Sequence, residues 1–345
     1  MLSIIMVYKR YSLLLFVIFS FTLLSCDSGE ETAKKVAGKA LGTTYHITYF
    51  SKNELDLKPA LDSIFERVNQ SMSTYRETSD ISRLNRGEAV IVDTLFRNVF
   101  LISEEVNRKS GGYFDPTVGN LVNFYGFGPE KPLVEVDTST LDSLMQYVGI
   151  DKIKISSEGR VTKTTPKVYL DFNAVAKGYT VDLIGHFLES RNVKNYLVEI
   201  GGELLAKGNN PEKEAAWLVG IDDPGQTKAE RTLTAGVKLL DRAMATSGNY
   251  RKNRVDAETG KMYVHTVNPL TGHAEKSDVL SASVLAENCA LADAYATTFM
   301  AMGLEASKQL LENLDDVDVF FIYAKEDGSM GKFSTKGFEE VLVDL

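Results

Sequence analysis

The chain has 345 residues, of which 44% are hydrophobic and 25% charged, and this balance is typical of a globular protein rather than a disordered one. The length is enough for one large domain or two ordinary ones. The formal net charge of -9 argues against a surface that wraps a DNA duplex, so we expect no nucleic-acid partner.

Residues 1–26 have the pattern of a targeting segment. A positive start at Lys9 and Arg10 is followed by an apolar run that ends at Leu24, and this run is shorter than the ~20 residues of a membrane-spanning helix. The closing Leu-Leu-Ser-Cys26 resembles a bacterial lipobox, in which the cysteine is lipidated and becomes the mature N-terminus. We therefore predict a lipoprotein signal peptide, lipidation at Cys26, and a protein lipid-anchored to the bacterial cell envelope that faces the periplasm. An uncleaved anchor and an ordinary secretory signal are the alternatives.

Residues 27–39 begin with a polar run, which predicts a flexible tether. Beyond it no linker is long enough to divide the chain, so we predict a single domain over residues 40–345. Cleavage ahead of Cys26 would leave Cys289 as the only other cysteine, and no disulfide is expected. We expect Cys289 to be a small buried residue.

Hydrophobic periodicity, capping residues and turn residues predict a mixture of strands and helices. Strands are predicted at Ala40–Phe50, Ile153–Ile155, Val161–Thr162, Val168–Leu170, Tyr196–Ile200, Glu203–Lys207, Trp217–Ile221, Val279–Leu285 and Val317–Ala324. Helices are predicted at Pro59–Met72, after Asp80, at Leu95–Lys109 and Thr138–Tyr147, from the Asp171–Gly178 segment to Arg191, and at Cys289–Met302. Strands often follow strands directly, which favours an α+β fold with mostly antiparallel sheets flanked by helices over a doubly wound fold.

The predicted helix at Cys289–Met302 carries one carboxylate, Asp293, in a small and apolar surface. Such a helix is expected to be buried, and a buried carboxylate is costly unless it is paired or binds a metal. Thr297 lies one turn later on the same side, and oxygen ligands at this spacing suit a hard cation such as Mg²⁺. The alternative is that Asp293 pairs with a buried Arg or Lys and that Thr297 bonds back to its own helix.

The segment from Asp171 to Gly178 is the second candidate for chemistry. Asp171 follows a predicted strand, and Lys177 lies in the first turns of the next helix, where a helix N-terminus and a lysine together form an anion site. The alternative is that Asp171 caps the helix and Lys177 is solvated. The chain contains neither GxxxxGK followed by Ser or Thr nor a GxGxxG pattern after a strand.

Several short stretches, in this order, resemble the ApbE family, the FAD:protein FMN transferases, over most of residues 40–303. They are Leu41-Gly-Thr-Thr-Tyr45, Ser73-Thr-Tyr-Arg76, Gly112-Tyr-Phe-Asp115, Asn123-Phe-Tyr-Gly-Phe-Gly128, Asp171-Phe-Asn-Ala-Val-Ala-Lys-Gly178, Gly201-Gly202, Ala245-Thr-Ser-Gly248, His265-Thr-Val-Asn-Pro269 and Ala292-Asp-Ala-Tyr-Ala-Thr297. The resemblance implies an ApbE-like fold with an FAD cleft. It also implies an enzyme that uses Mg²⁺, cuts FAD at its pyrophosphate, joins FMN to a Ser or Thr hydroxyl of an acceptor protein and releases AMP. In related systems the acceptor is a membrane-linked electron-transfer subunit.

The resemblance further implies roles for individual residues. Asp293, Thr297 and the backbone carbonyl of Ala174 would hold Mg²⁺. The FAD contacts would come from Leu41, Tyr75, Tyr113, Phe114, Asp115, Asp171, Lys177 and Val267. Tyr75 would stack on a flat ring, with ordinary packing at a helix end as the alternative, and Lys177 would contact a phosphate. His265 is the candidate proton acceptor for the incoming hydroxyl, with a structural role in its Asn-Pro turn as the alternative.

Other functions are compatible with the same residues. An FAD pyrophosphatase would use water as the nucleophile and release free FMN and AMP. A non-catalytic lipoprotein that binds flavin or another solute would release no AMP under any condition. A purely structural envelope lipoprotein is disfavoured by the ordered set of motifs.

Overall fold

The structure is a computed structural model, and it describes residues 30–130, 138–226, 232–249, 253–255, 262–274 and 276–344. The predicted signal peptide and the predicted lipidation site at Cys26 lie outside these residues. Within the described ranges, no helix is both long enough and apolar enough to cross a membrane.

Helices and strands succeed one another irregularly along the chain. The helices are α1 (Lys58–Met72), α2 (Asp80–Asn85), α3 (Thr94–Lys109), α4 (Gly119–Phe124), α5 (Thr138–Met145), α6 (Ala176–Ser190), α7 (Cys289–Met302), α8 (Leu304–Leu311) and α9 (Lys336–Glu339). The strands are β1 (Thr32–Ala40), β2 (Thr43–Ser51), β3 (Ile153–Ile155), β4 (Val161–Lys163), β5 (Tyr196–Ile200), β6 (Glu203–Lys207), β7 (Trp217–Asp222), β8 (Leu233–Leu239), β9 (Ala243–Gly248), β10 (Asn253–Val255), β11 (Met262–Val264), β12 (Val279–Ala286), β13 (Asp318–Ala324), β14 (Met330–Ser334) and β15 (Leu342–Val343). Capping residues set some of these bounds: the side chain of Asn288 accepts the N–H of Leu291 at the start of α7.

An eight-stranded sheet forms the centre of the fold, in the order β1-β2-β5-β6-β9-β12-β13-β14. Every neighbouring pair in this sheet is antiparallel. Two-residue turns with positive φ close two of its hairpins, at Leu41-Gly42 and at Gly201-Gly202. A separate antiparallel sheet contains β15, β8 and β7. The predicted α+β fold with mostly antiparallel sheets is confirmed.

Strand β1 shows that the prediction of a flexible tether over residues 27–39 was wrong for most of that segment. Thr32–Ala40 pairs along its whole length with β2 and forms one edge of the large sheet. Its polar composition comes largely from Lys34, Lys35 and Lys39. Lysines are common on edge strands because they discourage pairing with another chain, so the same composition suits an edge strand as well as a tether.

The predicted strand at Val168–Leu170 was also wrong. Within this segment Tyr169 forms only an isolated parallel bridge with Val118, and the N–H of Leu170 donates to Oδ1 of Asn85 at 2.8 Å. A side chain therefore satisfies the backbone where a strand ladder was expected. The segment is an extended connector that leads directly into Asp171.

Helix α7 lies in the middle of the main hydrophobic core. Its bounds, Cys289–Met302, are the predicted ones, and it packs on β9 and β12 and against α6. Tyr295 and Phe299 on this helix are almost fully buried, and Cys289 is fully buried as predicted. Because protein surrounds α7 on several sides, the polar groups on it have fixed positions.

Candidate active site

The start of α6 lies directly against α7. The N–H of Gly178 donates to Oδ2 of Asp293 at 3.1 Å, across a separation of 115 residues. A β-carbon at position 178 would lie 2.2 Å from the carbonyl oxygen of Cys289 and 2.9 Å from Cβ of Asp293. Only glycine therefore permits this approach without a shift of the backbone. The end of the Asp171–Gly178 segment is therefore in direct contact with Asp293.

Asp293 is a buried carboxylate, 3% exposed, with a lysine nearby. Nζ of Lys177 lies 3.7 Å from Oδ1 of Asp293 and 2.5 Å from Oε1 of Glu203. Burial alone would lower the pKa of Lys177, but the charges of Asp293 and Glu203 raise it. Lys177 is thus a charged and paired residue, and the alternative of a solvated Lys177 is wrong. The alternative in which Asp293 pairs with a lysine is therefore borne out in part, because Lys177 lies within ion-pair distance of it, whereas no arginine in the described part of the chain pairs with Asp293.

Thr297 lies one helical turn after Asp293 on α7. The half-buried Thr297 forms no hydrogen bond through its hydroxyl with any described residue, whereas the neighbouring Thr298 bonds back to the carbonyl of Ala294 at 2.8 Å. The alternative in which Thr297 bonds back to its helix is therefore wrong. Ala174 lies just before α6, and the N–H of Gly178, in the first turn of this helix, donates to Asp293.

The donor set at Asp293 fits a hard divalent cation. In the described ranges no group of three or more His, Cys, Asp or Glu side chains could hold a metal. The donor set that the family resemblance implies is one carboxylate, one hydroxyl and one carbonyl. All three are oxygen donors, which Mg²⁺ prefers. Mg²⁺ is commonly held by one or two carboxylates and completes its octahedron with water and substrate phosphates. Metal binding at Asp293, Thr297 and Ala174 stays a prediction.

A second group of predicted residues gathers around Phe127. The hydroxyl of Tyr75 donates to the carbonyl of Phe127 at 3.4 Å, and the ring of His265 packs edge-on against that of Phe127, with centroids 6.4 Å apart. Partial burial of its hydroxyl and the nearby charge of Asp171 raise the pKa of Tyr75. Tyr75 is nevertheless 62% exposed, so its ring is available to stack on a flat ligand.

Asp171 closes a turn rather than a helix. Its carboxylate accepts the backbone N–H of Asn173 at 2.7 Å and the side-chain amide of the same residue at 3.0 Å. Because α6 begins only at Ala176, the alternative in which Asp171 caps this helix is wrong. Burial raises the pKa of Asp171. Its position close to Tyr75 is consistent with the predicted FAD contact, which stays a prediction.

The turn from Tyr113 to Asp115 is built into the core. Phe114 is 4% exposed, and Asp115 accepts hydrogen bonds from Thr117, Ile150 and Asn107. These bonds occupy the carboxylate of Asp115, so a ligand contact at this residue would come from the backbone. Tyr113 is half-buried. The predicted FAD contacts of this turn stay predictions.

Leu41 and Val267 lie in two different loops. Leu41 has a φ of 50°, a conformation that is uncommon for leucine, and its side chain packs against both the core that contains α7 and the core beside β2. Val267 is 6% exposed and packs with Phe124, Tyr125 and Tyr263. Contact of either residue with FAD stays a prediction.

Two buried acids near α6 and α7 were not predicted. Glu203, 4% exposed, pairs with Lys177. Asp182, 7% exposed, accepts the N–H groups of Cys289 and Ala290 at 2.7 and 2.9 Å, and so caps α7 from the neighbouring helix. A signal for both was present, because each is an acid in a mostly apolar stretch, the feature that identified Asp293.

Asp182 also lines a cavity of about 480 Å³ that is separate from the predicted site, since none of the described site residues lines it. Burial raises the pKa of Asp182 from 3.8 to about 7, against the lowering effect of its two N–H donors. Between these two pH values the folded protein holds a proton that the unfolded chain has lost. This group therefore destabilises the protein as pH rises through that window.

Replacing Asp182 with asparagine should remove this pH dependence. Relative to the unmodified protein, the free energy of unfolding of Asp182→Asn should rise by up to about 4 kcal/mol between pH ~4 and pH ~7. Any loss of stability that comes only from replacing the carboxyl group by an amide would be the same at every pH. Urea unfolding at a series of pH values measures the difference, and a pH-independent difference would contradict the assignment.

Comparison with known proteins gives a consistent result over nearly the whole chain. The model of the ApbE family matches residues 41–321. The FAD:protein FMN transferase of Haemophilus influenzae is 33% identical over 340 residues, which cover 95% of this chain and 96% of that protein. The structure of the flavin transferase ApbE from Vibrio cholerae superimposes with a TM-score of 0.80 at 32% identity, and covers 90% of this chain and 99% of its own. The apo form of the Pseudomonas stutzeri flavinyl transferase ApbE gives a TM-score of 0.79 at 28% identity, with 91% and 98% covered. With the family motifs, the fold and these relatives in agreement, the chain belongs to the ApbE family.

Proposed function

We propose that this protein is an FAD:protein FMN transferase that depends on Mg²⁺. The relatives with this name match the chain over almost its full length. The observation that carries the proposal is the contact between Gly178 and Asp293, because it sets a buried carboxylate against the start of a helix. A helix start favours phosphate, and a buried carboxylate favours a cation that can bind phosphate as well.

The proposed reaction is the transfer of a phosphoryl-linked group. The oxygen of a Ser or Thr hydroxyl on the acceptor protein forms a bond to the FMN phosphorus of FAD, and the pyrophosphate bond to AMP breaks. AMP leaves with the electron pair of that bond, and the proton of the hydroxyl passes to a base. Such a reaction needs positioning and neutralisation of phosphate charge more than covalent help from the protein.

Asp293, Thr297 and the carbonyl of Ala174 would hold Mg²⁺. The bound cation would neutralise charge on the diphosphate of FAD. The protein contributes a carboxylate fixed by the N–H of Gly178 and a threonine hydroxyl that no described residue engages. These few protein ligands leave coordination positions for phosphate oxygens and water.

FAD would extend from Lys177 towards Tyr75 and His265. Lys177 would contact a phosphate, and Tyr75 would stack on a ring of the dinucleotide. Leu41, the Tyr113–Asp115 turn, Asp171 and Val267 would complete the contacts. His265 would accept the proton of the incoming hydroxyl, since imidazole is the commonest general base.

The cellular setting is also a proposal. The lipobox-like end of the signal segment would place a lipid on Cys26 and anchor the protein to the bacterial cell envelope, facing the periplasm. The acceptor would be a protein with a target Ser or Thr, and a membrane-linked electron-transfer subunit is the candidate. An enzyme held at the membrane surface would meet such a subunit at a high local concentration.

One experiment separates this proposal from its rivals. The purified full chain is mixed with FAD and Mg²⁺, with and without a membrane extract, and the products are identified by mass spectrometry. We expect AMP and an FMN-sized adduct on a protein when the extract is present. Rapid release of free FMN and AMP without the extract would instead indicate a pyrophosphatase, and absence of AMP in both samples would indicate a binding protein.

The role of Tyr75 gives a separate prediction. Tyr75→Ala should weaken FAD binding by about tenfold, because stacking of a base on an aromatic ring contributes ~1–3 kcal/mol. Tyr75→Phe keeps the ring and loses only a 3.4 Å hydrogen bond, so it should bind FAD within about twofold of the unmodified protein. Fluorescence titration with FAD measures both variants. Equal affinity for Tyr75→Ala would show that Tyr75 only packs.

A further inference from the structure

Glu203 and Asp293 are two buried carboxylates that share one ammonium group. Glu203 is the first residue of β6, directly after the Gly201-Gly202 turn, and is 4% exposed. Lys177 is the second residue of α6 and pairs with Glu203 through a side chain that is less than one-third exposed. The three residues come from β6, α6 and α7, so their arrangement depends on the packing of the whole core.

The ammonium group is not shared equally. Nζ of Lys177 forms a close ion pair with Oε1 of Glu203 at 2.5 Å and a longer one with Oδ1 of Asp293 at 3.7 Å, beyond hydrogen-bond distance. Among the described residues, Oδ1 of Asp293 accepts no hydrogen bond, and the recorded one goes to Oδ2. The close pair with Glu203 therefore leaves Oδ1 of Asp293 without a hydrogen bond from the described residues.

We infer that Glu203 is a positioning residue that holds the Lys177 ammonium off Asp293 and so keeps Oδ1 of Asp293 available to a divalent cation. This inference rests on the proposed function, in which Asp293 is a metal ligand. Lysine has a long and flexible side chain, so without Glu203 its ammonium would move the short distance onto Asp293. A direct pair between Lys177 and Asp293 would then occupy the oxygen and repel the cation.

Glu203→Gln tests this inference because it removes the charge and keeps the size of the side chain. We expect the variant to bind divalent cation about tenfold more weakly than the unmodified protein. The double variant Glu203→Gln with Lys177→Met should bind within about twofold of the unmodified protein, because it no longer has an ammonium to occupy Asp293. Replacing both members of a buried ion pair by neutral groups of similar size is often tolerated by the fold.

The measurement uses Mn²⁺ alone as the probe, because it accepts the same oxygen donors as Mg²⁺ and its free form is counted by electron paramagnetic resonance. Titration of the purified full chain without FAD gives the dissociation constant independently of activity. Urea unfolding in the presence of a chelator checks that each variant folds. Glu199→Gln is the matched control: Glu199 lies on β5 at the same turn and bonds Gly202 and His46, not Lys177.

The outcomes are distinguishable. Weaker binding by Glu203→Gln that the second substitution restores, with Glu199→Gln unchanged, supports the inference. Unchanged binding by a folded Glu203→Gln overturns it and leaves the metal role of Asp293 intact. Weaker binding that Lys177→Met does not restore also overturns it, because the effect would not act through Lys177. No binding by the unmodified protein would overturn both the inference and the proposed metal site.

Discussion

Asp293→Ala is expected to abolish Mg²⁺-dependent FMN transfer, with a loss of roughly 10³-fold or more in rate. Asp293 is the one carboxylate in the predicted ligand set, and a hydroxyl and a carbonyl without it carry no formal charge to hold a divalent cation. A cation that neutralises a diphosphate contributes several kcal/mol to the reaction, and each ~1.4 kcal/mol is a factor of ten in rate. Transfer is measured by in-gel flavin fluorescence of an acceptor protein.

The substitution also removes a hydrogen bond to a backbone N–H, so it needs a control that loses a similar bond. Asp278 accepts the backbone N–H of Leu304 at 2.9 Å, much as Asp293 accepts that of Gly178, but it is exposed and is not one of the predicted metal ligands. Asp278→Ala should therefore retain transfer. Urea unfolding should show both variants folded, and Mn²⁺ binding should be lost only in Asp293→Ala. Unchanged labelling by Asp293→Ala would refute the metal role.

The parts of the fold that the sequence predicted well are those set by local pattern. Helix α7 has its predicted bounds because Asn288 caps it and Gly303, with a φ of 78°, ends it. Burial of Asp293 followed from the small and apolar residues around it on the same helix. Antiparallel sheets followed from strands that directly succeed strands, as at β5 and β6.

The parts that were not predicted depend on contacts between distant segments. The polar residues of β1 are compatible with a tether or an edge strand, and only the pairing with β2 decides between them. The bond of Lys177 with Glu203 joins a helix to a strand, and no local pattern specifies which acid a lysine meets. Glu203 and Asp182 were nevertheless visible as acids in mostly apolar stretches, and the same criterion that selected Asp293 would have selected them.

His265→Ala is expected to lower the rate of FMN transfer by roughly 10²–10⁴-fold, the usual contribution of a positioned general base. His265 is half-buried beside the ring of Phe127, whose carbonyl accepts the hydroxyl of Tyr75. This position places an imidazole close to Tyr75, one of the residues that are proposed to bind FAD. Because only the neutral imidazole can accept a proton, the unmodified protein should lose activity as pH falls, and the variant should lack this dependence.

FAD affinity separates a catalytic His265 from a structural one. A base that acts only on the incoming hydroxyl contributes to kcat, so His265→Ala should bind FAD within about twofold of the unmodified protein. A structural residue of the Asn-Pro turn would instead displace Val267 and the loop around it, and FAD binding and stability would fall together. His273→Ala is the matched control, since His273 lies in the same loop and is exposed. Its backbone carbonyl accepts the N–H of Asn268, and the substitution keeps this bond. If His265→Ala keeps full FMN transfer and still loses activity as pH falls, another residue accepts the proton of the hydroxyl. If FAD binding and stability fall together in this variant, His265 has a structural role in the turn.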